Sequence, residues 1–464
     1  MISFRTRRSK HALFMAVDVG IATVSLHLMF IAFSLLGWQT FTFDNFWFSA
    51  GTLTLTSVMT HLSVGMYESK IRESIRGVFR RGVMSATLAF FTYQLIAQVS
   101  GITPHNLTLV TGLLVAVSIQ TMWRHWAINL GGIYSSRRRV LFIGAGERAA
   151  FVSRRMRRDV DRRGFALWGF VALNSISDDI GKNEKVYELS GSESFDGFIS
   201  RLEPDVVVLA NDRGENIDVK GLLDLKMKGA EVVELEDFIE SELGQIAVES
   251  MRPEWMLLSK GYRFNRFAFD KLNYLFNALL ALTVALLTSP FMLATMLAIY
   301  FDDGRRDKAG FLYKQIRVGE NGKHFEIIKF RSMGKDAEKN GAQWASANDV
   351  RVTRVGKYLR KYRLDELPQL INVLRGDMCF VGPRPERPVF VDELAAQIPM
   401  FHYRHCVKPG LTGWAQVEYP YGASTNDSFE KLKFDLYYIK HRSFLLDLFV
   451  LIRTVEVVLF GRGR

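Results

Sequence analysis

Cysteine is nearly missing from this 464-residue chain, with only Cys379 and Cys406 present. Two thiols can build neither a disulfide framework nor a cysteine metal site, and both fit a reducing compartment. Acidic residues fall short of basic ones, 48 against 60, giving a net charge of +12 and a pI near 9.5. That balance suits nucleic acid or an anionic membrane surface. With 48% hydrophobic residues and 35 Phe, the membrane is the better match, and no nucleic-acid partner is expected. Charge is wholly absent from Leu272 to Phe301.

What the chain does have begins with apolar runs. The basic MISFRTRRSK precedes Ala12 to Trp38, a run broken only by Asp18. It exceeds the roughly 7–15-residue core of a signal peptide and lacks a small-residue cleavage site, so it reads as a retained span. Further spans are expected at Phe46–Met66, Val83–Ser100 and Leu107–Leu130, making residues 1–136 a four-span membrane α-helical bundle. Arg5, Arg7, Arg8 and Lys10 precede the first span; Lys70, Arg72, Arg76, Arg80 and Arg81 separate the second from the third; Arg137 to Arg139 follow the fourth. The positive-inside rule then puts the N-terminus and everything after residue 136 on the cytoplasmic side. His27, His61, His125 and Arg124, in or near these spans, read as packing or interfacial groups.

Residues 137–252 form an expected Rossmann-like α/β cytoplasmic domain. RVLFIGAGERAAFV is a strand, a glycine turn and a helix start, with Gly144, Gly146 and Ala149 on a GxGxxA pattern. DVVVLAND and GAEVVELEDF supply further parallel strands. The second strand, ALWGFVALN, ends at Asn174, where a dinucleotide site would place an acidic residue on the ribose. Half of the fingerprint is present, so nucleotide binding and a structural or regulatory role both stay open.

The uncharged segment Leu272–Phe301 would be about 45 Å long as a straight helix, against a hydrocarbon core of roughly 30 Å. Ser289-Pro290 interrupts it, and proline kinks a helix by removing a backbone bond. Lys260, Arg263, Arg266 and Lys271 before it, and Arg305, Arg306, Lys308 and Lys314 after it, hold both ends on the cytoplasmic side. Residues 253–303 therefore read as a linker and a re-entrant membrane helix broken at Ser289-Pro290. A hairpin follows, FLYKQIRVGENGKHFEIIKFRSM, turning at Glu320-Asn321-Gly322 and lined by Lys314, Arg317, Lys329 and Arg331.

Chemistry concentrates between Arg351 and Arg387. Val355, Tyr358, Leu359 and Tyr362 recur at helical spacing among Lys357, Arg360, Lys361 and Arg363, which predicts an amphipathic basic helix. Pro368 suits the first position of a second helix with Leu367, Leu370, Val373 and Leu374 on its apolar face. Asp365 and Glu366 then stand at a helix N-terminus, where the dipole favours both as carboxylates. Alone, such a pair is a cap. The rigid turn Gly382-Pro383-Arg384-Pro385-Glu386-Arg387 adds two guanidiniums suited to phosphate, and carboxylates beside phosphate-binding cations fit a divalent metal such as Mg2+. KPGLTGWAQV is a turn-rich loop, and FEKLKFDLYYIKHRS and FLLDLFVLIRTVEVVLFGRGR are amphipathic helices, the last interfacial because of Asp447, Arg453 and Glu456.

The Ser289-Pro290 helix, the strand pair ending KFRSM, RLDELPQLINVLRGDM, GPRPE, PGLTGWAQV and DLYYIKHRSFLLDL, in that order, resemble the bacterial polyprenyl-phosphate sugar-1-phosphate transferases. These are monotopic phosphoglycosyl transferases that start exopolysaccharide assembly. The likeness covers about residues 262–464, and the spans with the Rossmann-like unit resemble the family's long members. One departure is RRDKAGF, Arg305 to Phe311, where such sequences usually carry Gly-Pro. The resemblance implies a mixed α/β, mainly helical catalytic domain over 304–464 in the bacterial inner membrane. It implies transfer of a sugar 1-phosphate from a UDP-sugar, UDP-glucose or UDP-galactose, to polyprenyl (undecaprenyl) phosphate with release of UMP. Asp365 would be the nucleophile that carries the sugar phosphate, and Glu366 would hold Mg2+. Arg384 would cancel phosphate charge, with Arg387, Lys329, Arg331, Arg351 and Arg354 as further phosphate contacts. Besides substrates and bilayer, a homodimer is an expected partner. A membrane-bound nucleotide-sugar dehydratase would need a Tyr-x-x-x-Lys pair, and no Tyr here has Lys four residues on. A non-enzymatic polysaccharide-export scaffold would leave the carboxylates without a task.

Overall fold

The computed structural model describes residues 7–37, 43–64, 66, 75–101, 106–129, 138–156, 162, 165–180, 184–188, 195–212, 214–249, 261, 267–304, 309–337, 339, 349–419, 422 and 424–459. Half of the loop charges used to orient the spans (Arg5, Lys70, Arg72, Arg137, Lys260, Arg263, Arg266, Arg305, Arg306, Lys308) lie outside them, as does most of the RRDKAGF departure. The chain forms two compact units, Met1–Leu243 and Gly244–Arg464. Residues just after Leu243 pack within the second unit, where the Gly244 carbonyl accepts from Trp414 Nε1 at 2.8 Å and the Ile246 amide donates to the Lys433 carbonyl at 3.0 Å.

The first unit opens with four helices: α1 (Arg7–Leu35), α2 (Phe43–Ser63), α3 (Ile75–Val99) and α4 (Asn106–Asn129). Among the described residues, Phe14–Leu35, Arg81–Val99, Asn106–Ala127 and Asp270–Gly304 are long and apolar enough to cross a membrane. Glycine allows close helix contact, since a Cβ on Gly112 would stand 2.8 Å from Leu26 and one on Gly82 2.9 Å from Val117. Asp18, His61 and Arg124 do have partners. Arg124 bonds the Asp18 carboxylate and, at 2.9 Å, the Met66 carbonyl; Gln120 bridges the Asp18 carbonyl and His61 at 3.2 and 3.1 Å; His61 meets Ser85 at 2.9 Å. Polar groups without water need such partners, and this chain of contacts ties all four helices together.

The same unit continues as a five-stranded sheet: β1 (Arg138–Ala145), α5 (Glu147–Arg155), β2 (Phe165–Ile176), β3 (Val186–Glu188), α6 (Phe195–Leu202), β4 (Val206–Leu209), α7 (Val219–Met227), β5 (Glu231–Glu234) and α8 (Leu235–Leu243). All strands are parallel, in the order β3-β2-β1-β4-β5. Leu141, Ile143, Val171 and Val207 are fully buried between the sheet and its helices, which is why β1 and β4 read as unbroken apolar runs.

The second unit starts with α9 (Phe267–Ile299), a 33-residue helix that runs through Pro290 and ends in a wider π turn, Tyr300–Gly304. Proline at 290 cannot bond the Leu286 carbonyl, and the Ser289 hydroxyl donates to that carbonyl instead, at 2.8 Å. The serine thus satisfies the group its neighbour strands. Residues flanking this point, Leu286, Leu287, Phe291 and Leu293, are exposed, while Asn273, Asn277 and Ala281 bury one face of the first arm and Thr295 and Ile299 one face of the second. Next come β6 (Leu312–Val318) and β7 (His324–Phe330), an antiparallel pair whose turn holds Asn321 and Gly322 at positive φ, as Asn-Gly favours. Then follow α10 (Arg354–Lys361), a 3₁₀ turn (Leu364–Gln369), α11 (Leu370–Arg375), β8 (Cys379–Val381), α12 (Pro388–Gln397), a second 3₁₀ turn (Phe401–Cys406), β9 (Gly410–Thr412), α13 (Trp414–Glu418), α14 (Thr425–His441) and α15 (Phe444–Leu459).

The core of this unit gathers Leu370, Val373, Phe380, Val391, Leu394, Leu432 and Leu436. Burial of each such side chain contributes roughly 1.5–3 kcal/mol. Asn372, fully buried, fastens β7 to α11: its Oδ1 accepts from the Ile328 amide at 3.1 Å and its Nδ2 donates to the Glu326 carbonyl at 2.8 Å. The strand that carries Lys329 is thereby held against the helix that follows Asp365.

Candidate active site

The second helix expected to begin at Pro368 begins instead at Leu370, and Asp365, Glu366 and Pro368 sit inside the 3₁₀ turn before it. Thr353 caps α10 by accepting from the Gly356 amide at 2.9 Å. The chain then reverses at Arg363, whose φ of 58° is left-handed, and the tight turn directs both carboxylates into the protein.

The two acids have opposite surroundings. Glu366 Oε1 is 2.9 Å from Arg384, 3.5 Å from Arg363 and 3.6 Å from Lys329. Although burial opposes it, these cations hold the Glu366 carboxyl well below the usual carboxylate range. Asp365 is buried, and its Oδ1 has no hydrogen-bond partner. Burial first, and the Glu366 charge second, push its carboxyl up to about 6. The expectation that both acids are fully carboxylate at neutral pH therefore holds strictly for Glu366, while Asp365 is poised just below neutrality. Lys329 is lowered to about 8 and Arg317 to about 10, each chiefly by desolvation. Burial disfavours the charged form of both groups, and an anion placed beside them would favour it.

Arg384 is held by its backbone. Its carbonyl accepts from Arg404 Nη2 at 3.0 Å, and Arg404 is bonded through Nη2 and Nε to Asp435 at 2.8 and 3.1 Å. Beside it, a Cβ at Gly382 would lie 2.5 Å from the Lys408 carbonyl, so only glycine lets the Pro383-Arg384-Pro385 turn pack here. Arg404 and Asp435 are both buried, and neither announced itself in sequence because they come from a 3₁₀ turn and a helix 31 residues apart. Gln369, four residues past Asp365, was equally silent; it is buried with Nε2 lacking a partner.

The other sequence candidates are distributed differently. Lys329 joins Glu366 and Arg384. Arg387 lies over the Phe390 ring at 5.9 Å and reaches Arg317 through its charge. Arg331 is not brought to the cluster: it forms a two-pronged pair with Asp303, at 2.6 and 2.7 Å, tying β7 to the end of α9. Arg351 folds back on Asp349 at 2.5 and 2.8 Å, and Arg354 is exposed at the start of α10. Among the described residues no group of three or more His, Cys, Asp or Glu gathers into a ready-made metal site. Glu366 nevertheless fits a Mg2+ ion, because all three cations approach its carboxylate through Oε1.

Residues 269–461 match the family described as Bacterial sugar transferase. The chain is 46% identical over 186 residues to the UDP-N-acetylgalactosamine-undecaprenyl-phosphate N-acetylgalactosaminephosphotransferase of Aeromonas hydrophila, covering 40% of this chain and 43% of that protein. It is 35% identical over 232 residues to the UDP-glucose:undecaprenyl-phosphate glucose-1-phosphate transferase of Caulobacter vibrioides, covering 49% of this chain and 85% of that one. A sugar transferase of Haemophilus influenzae is 28% identical over 352 residues, 70% of each chain. The chain thus spans less than half the length of the Aeromonas relative and most of the Caulobacter one.

Proposed function

The chain belongs to the bacterial sugar transferase family, and from that premise we propose that it moves a sugar 1-phosphate from a UDP-sugar to polyprenyl phosphate, releasing UMP. The observation that carries this reading is the buried Asp365 Oδ1, unpartnered beside a Glu366 clamped by Arg384, Lys329 and Arg363. An oxygen in that condition is an available nucleophile, and the cations beside it suit the diphosphate it must approach.

In the proposed reaction Asp365 Oδ1 bonds to the sugar-bearing phosphorus as the P–O bond to UMP breaks. UMP leaves with the electron pair, and the sugar phosphate remains on the carboxylate as a mixed anhydride. A polyprenyl phosphate oxygen then attacks the same phosphorus, returns Asp365 to a carboxylate and forms polyprenyl-diphosphate-sugar. Arg384 and Lys329 orient the phosphates and cancel their charge. Glu366 would hold Mg2+, which would supply further positive charge against the diphosphate. Exopolysaccharide initiation is the setting this reaction would serve.

The two arms of α9 support a re-entrant course. Asn277 Oδ1 accepts from the Phe380 amide at 2.7 Å, Ile299 packs with Phe330 and Leu359, and exposed Leu286, Leu287, Phe291 and Leu293 lie between them. A helix that dips into the bilayer and returns puts the 3₁₀ turn at the cytoplasmic surface, where a soluble nucleotide and a buried lipid phosphate can meet. The donor sugar follows from the relatives only by class. Resemblance to long members favours UDP-glucose or UDP-galactose, while the 46% identical relative is named for N-acetylgalactosamine, so UDP-N-acetylgalactosamine joins the panel. The test is UMP release from that panel by the full chain in membranes with polyprenyl phosphate and Mg2+. One donor should give lipid-dependent UMP, and silence with every donor would overturn the reading.

A further inference from the structure

The glycine turn after β1 is a motif that sugar-phosphate transfer does not use. In a dinucleotide-binding domain such a turn spares space for a pyrophosphate, which accepts from amides at the helix N-terminus. Here the space and the amides are already taken by the chain. The carboxylate of Asp212, just past β4, accepts from the Glu147 amide at 2.9 Å through Oδ2 and from the Arg148 amide at 3.1 Å through Oδ1. A Cβ on Gly146 would lie 1.9 Å from Asp212 Oδ2, and one on Gly144, at φ +113°, would lie 2.6 Å from the Ala210 carbonyl. Both glycines are therefore required by the end of β4 rather than by a ligand.

The charges around the turn agree. Glu215 accepts from the Asp212 amide at 2.8 Å and from Ser175 Oγ at 3.1 Å, and Glu147 accepts from Ser177 Oγ at 2.8 Å. Three carboxylates, Asp212, Glu215 and Glu147, thus bond groups at or beside the turn. The nearby guanidinium of Arg148 is committed to Glu236, at 2.7 and 2.9 Å, and to the Asn211 carbonyl at 2.7 Å. The strand expected to end at Asn174 runs on to Ile176, so Asn174 does not occupy the strand-end position of a ribose-binding acid.

We infer that Asp212 is the resident anion of this helix N-terminus, so that the α/β domain takes no nucleotide phosphate there and uses the turn to lock β4 onto α5. The inference is independent of the reaction assigned to the second unit. It is tested by hydrogen–deuterium exchange on the full chain in lipid nanodiscs, with NADH as the probe. In the wild type the amides of Glu147 and Arg148 should be protected and unaffected by NADH up to about 1 mM, a range that would reveal even weak binding. Asp212→Ala should speed exchange at those two amides by about tenfold or more while β1 keeps its protection, because only the capping acceptor is lost. Asp212→Asn, which keeps one carbonyl acceptor, should fall between and serves if the alanine variant does not fold. NADH-dependent protection of the turn in the wild type, or exchange indifferent to both substitutions, would overturn the inference.

Discussion

Asp212, whose carboxylate reaches the start of α5, and Asp365, inside the 3₁₀ turn before α11, are the same side chain in two different units, yet they differ in every respect that matters for chemistry. Asp212 has both oxygens bonded to backbone amides. Asp365 is buried with Oδ1 bonded to nothing. A buried polar atom left unbonded costs about 1–3 kcal/mol, so a fold that keeps one gives up stability for a group that can react. A satisfied carboxylate is a fastening, and an unsatisfied one is a reagent.

The sharpest way to break this contrast is to neutralise each acid. Asp365→Asn should lower UMP release by at least about a thousandfold, since an amide cannot replace the nucleophile. Asp212→Asn should leave the rate of UMP release unchanged while lowering the temperature at which the first unit becomes protease-sensitive. Arg384→Ala, which removes the 2.9 Å contact to Glu366, should cost about a hundredfold in the same assay, the scale of losing one preorganised charge-stabilising donor. Asp435→Asn should cost about tenfold in kcat and lower stability by about 3 kcal/mol, because Arg404 would be left as a buried charge without its partner.

The smallest effect is in pH. Asp365 must lose its proton to attack, so activity should rise with pH through about 6; Lys329 loses its charge above about 8, so activity should decline beyond it. Glu366→Gln would remove one of the two influences that raise Asp365, burial being the other, and the acid limb measured on the residual activity should move to lower pH. An acid limb fixed in place would show that burial alone sets it.

The parts that were legible in sequence are those decided by local physics. Continuous apolar runs gave the four helices and the parallel sheet, and Asn321-Gly322 gave the hairpin. Asp365, Glu366, Arg384 and Lys329 were legible as a candidate site because three of them sit in or after one short, oddly charged stretch. What stayed hidden depends on distant partners. Nothing local tells Arg331, which pairs with Asp303, from Lys329, which joins Glu366, although both lie on or beside one strand. The Arg404–Asp435 support behind Arg384 and the Asp212 carboxylate 65 residues from Glu147 likewise exist only after folding. Sequence places proline at 290, but only the folded helix reveals the Ser289 hydroxyl on the carbonyl it strands.

The central claim is that Asp365 carries the sugar phosphate, and mass spectrometry of the full chain incubated with its UDP-sugar and Mg2+, without polyprenyl phosphate, tests it most directly. The account predicts about one UMP released per active chain, with a hexose-phosphate or N-acetylhexosamine-phosphate mass on the peptide containing Asp365, discharged when polyprenyl phosphate is added. Lipid-dependent turnover with no adduct, or with the adduct on another residue, would contradict it.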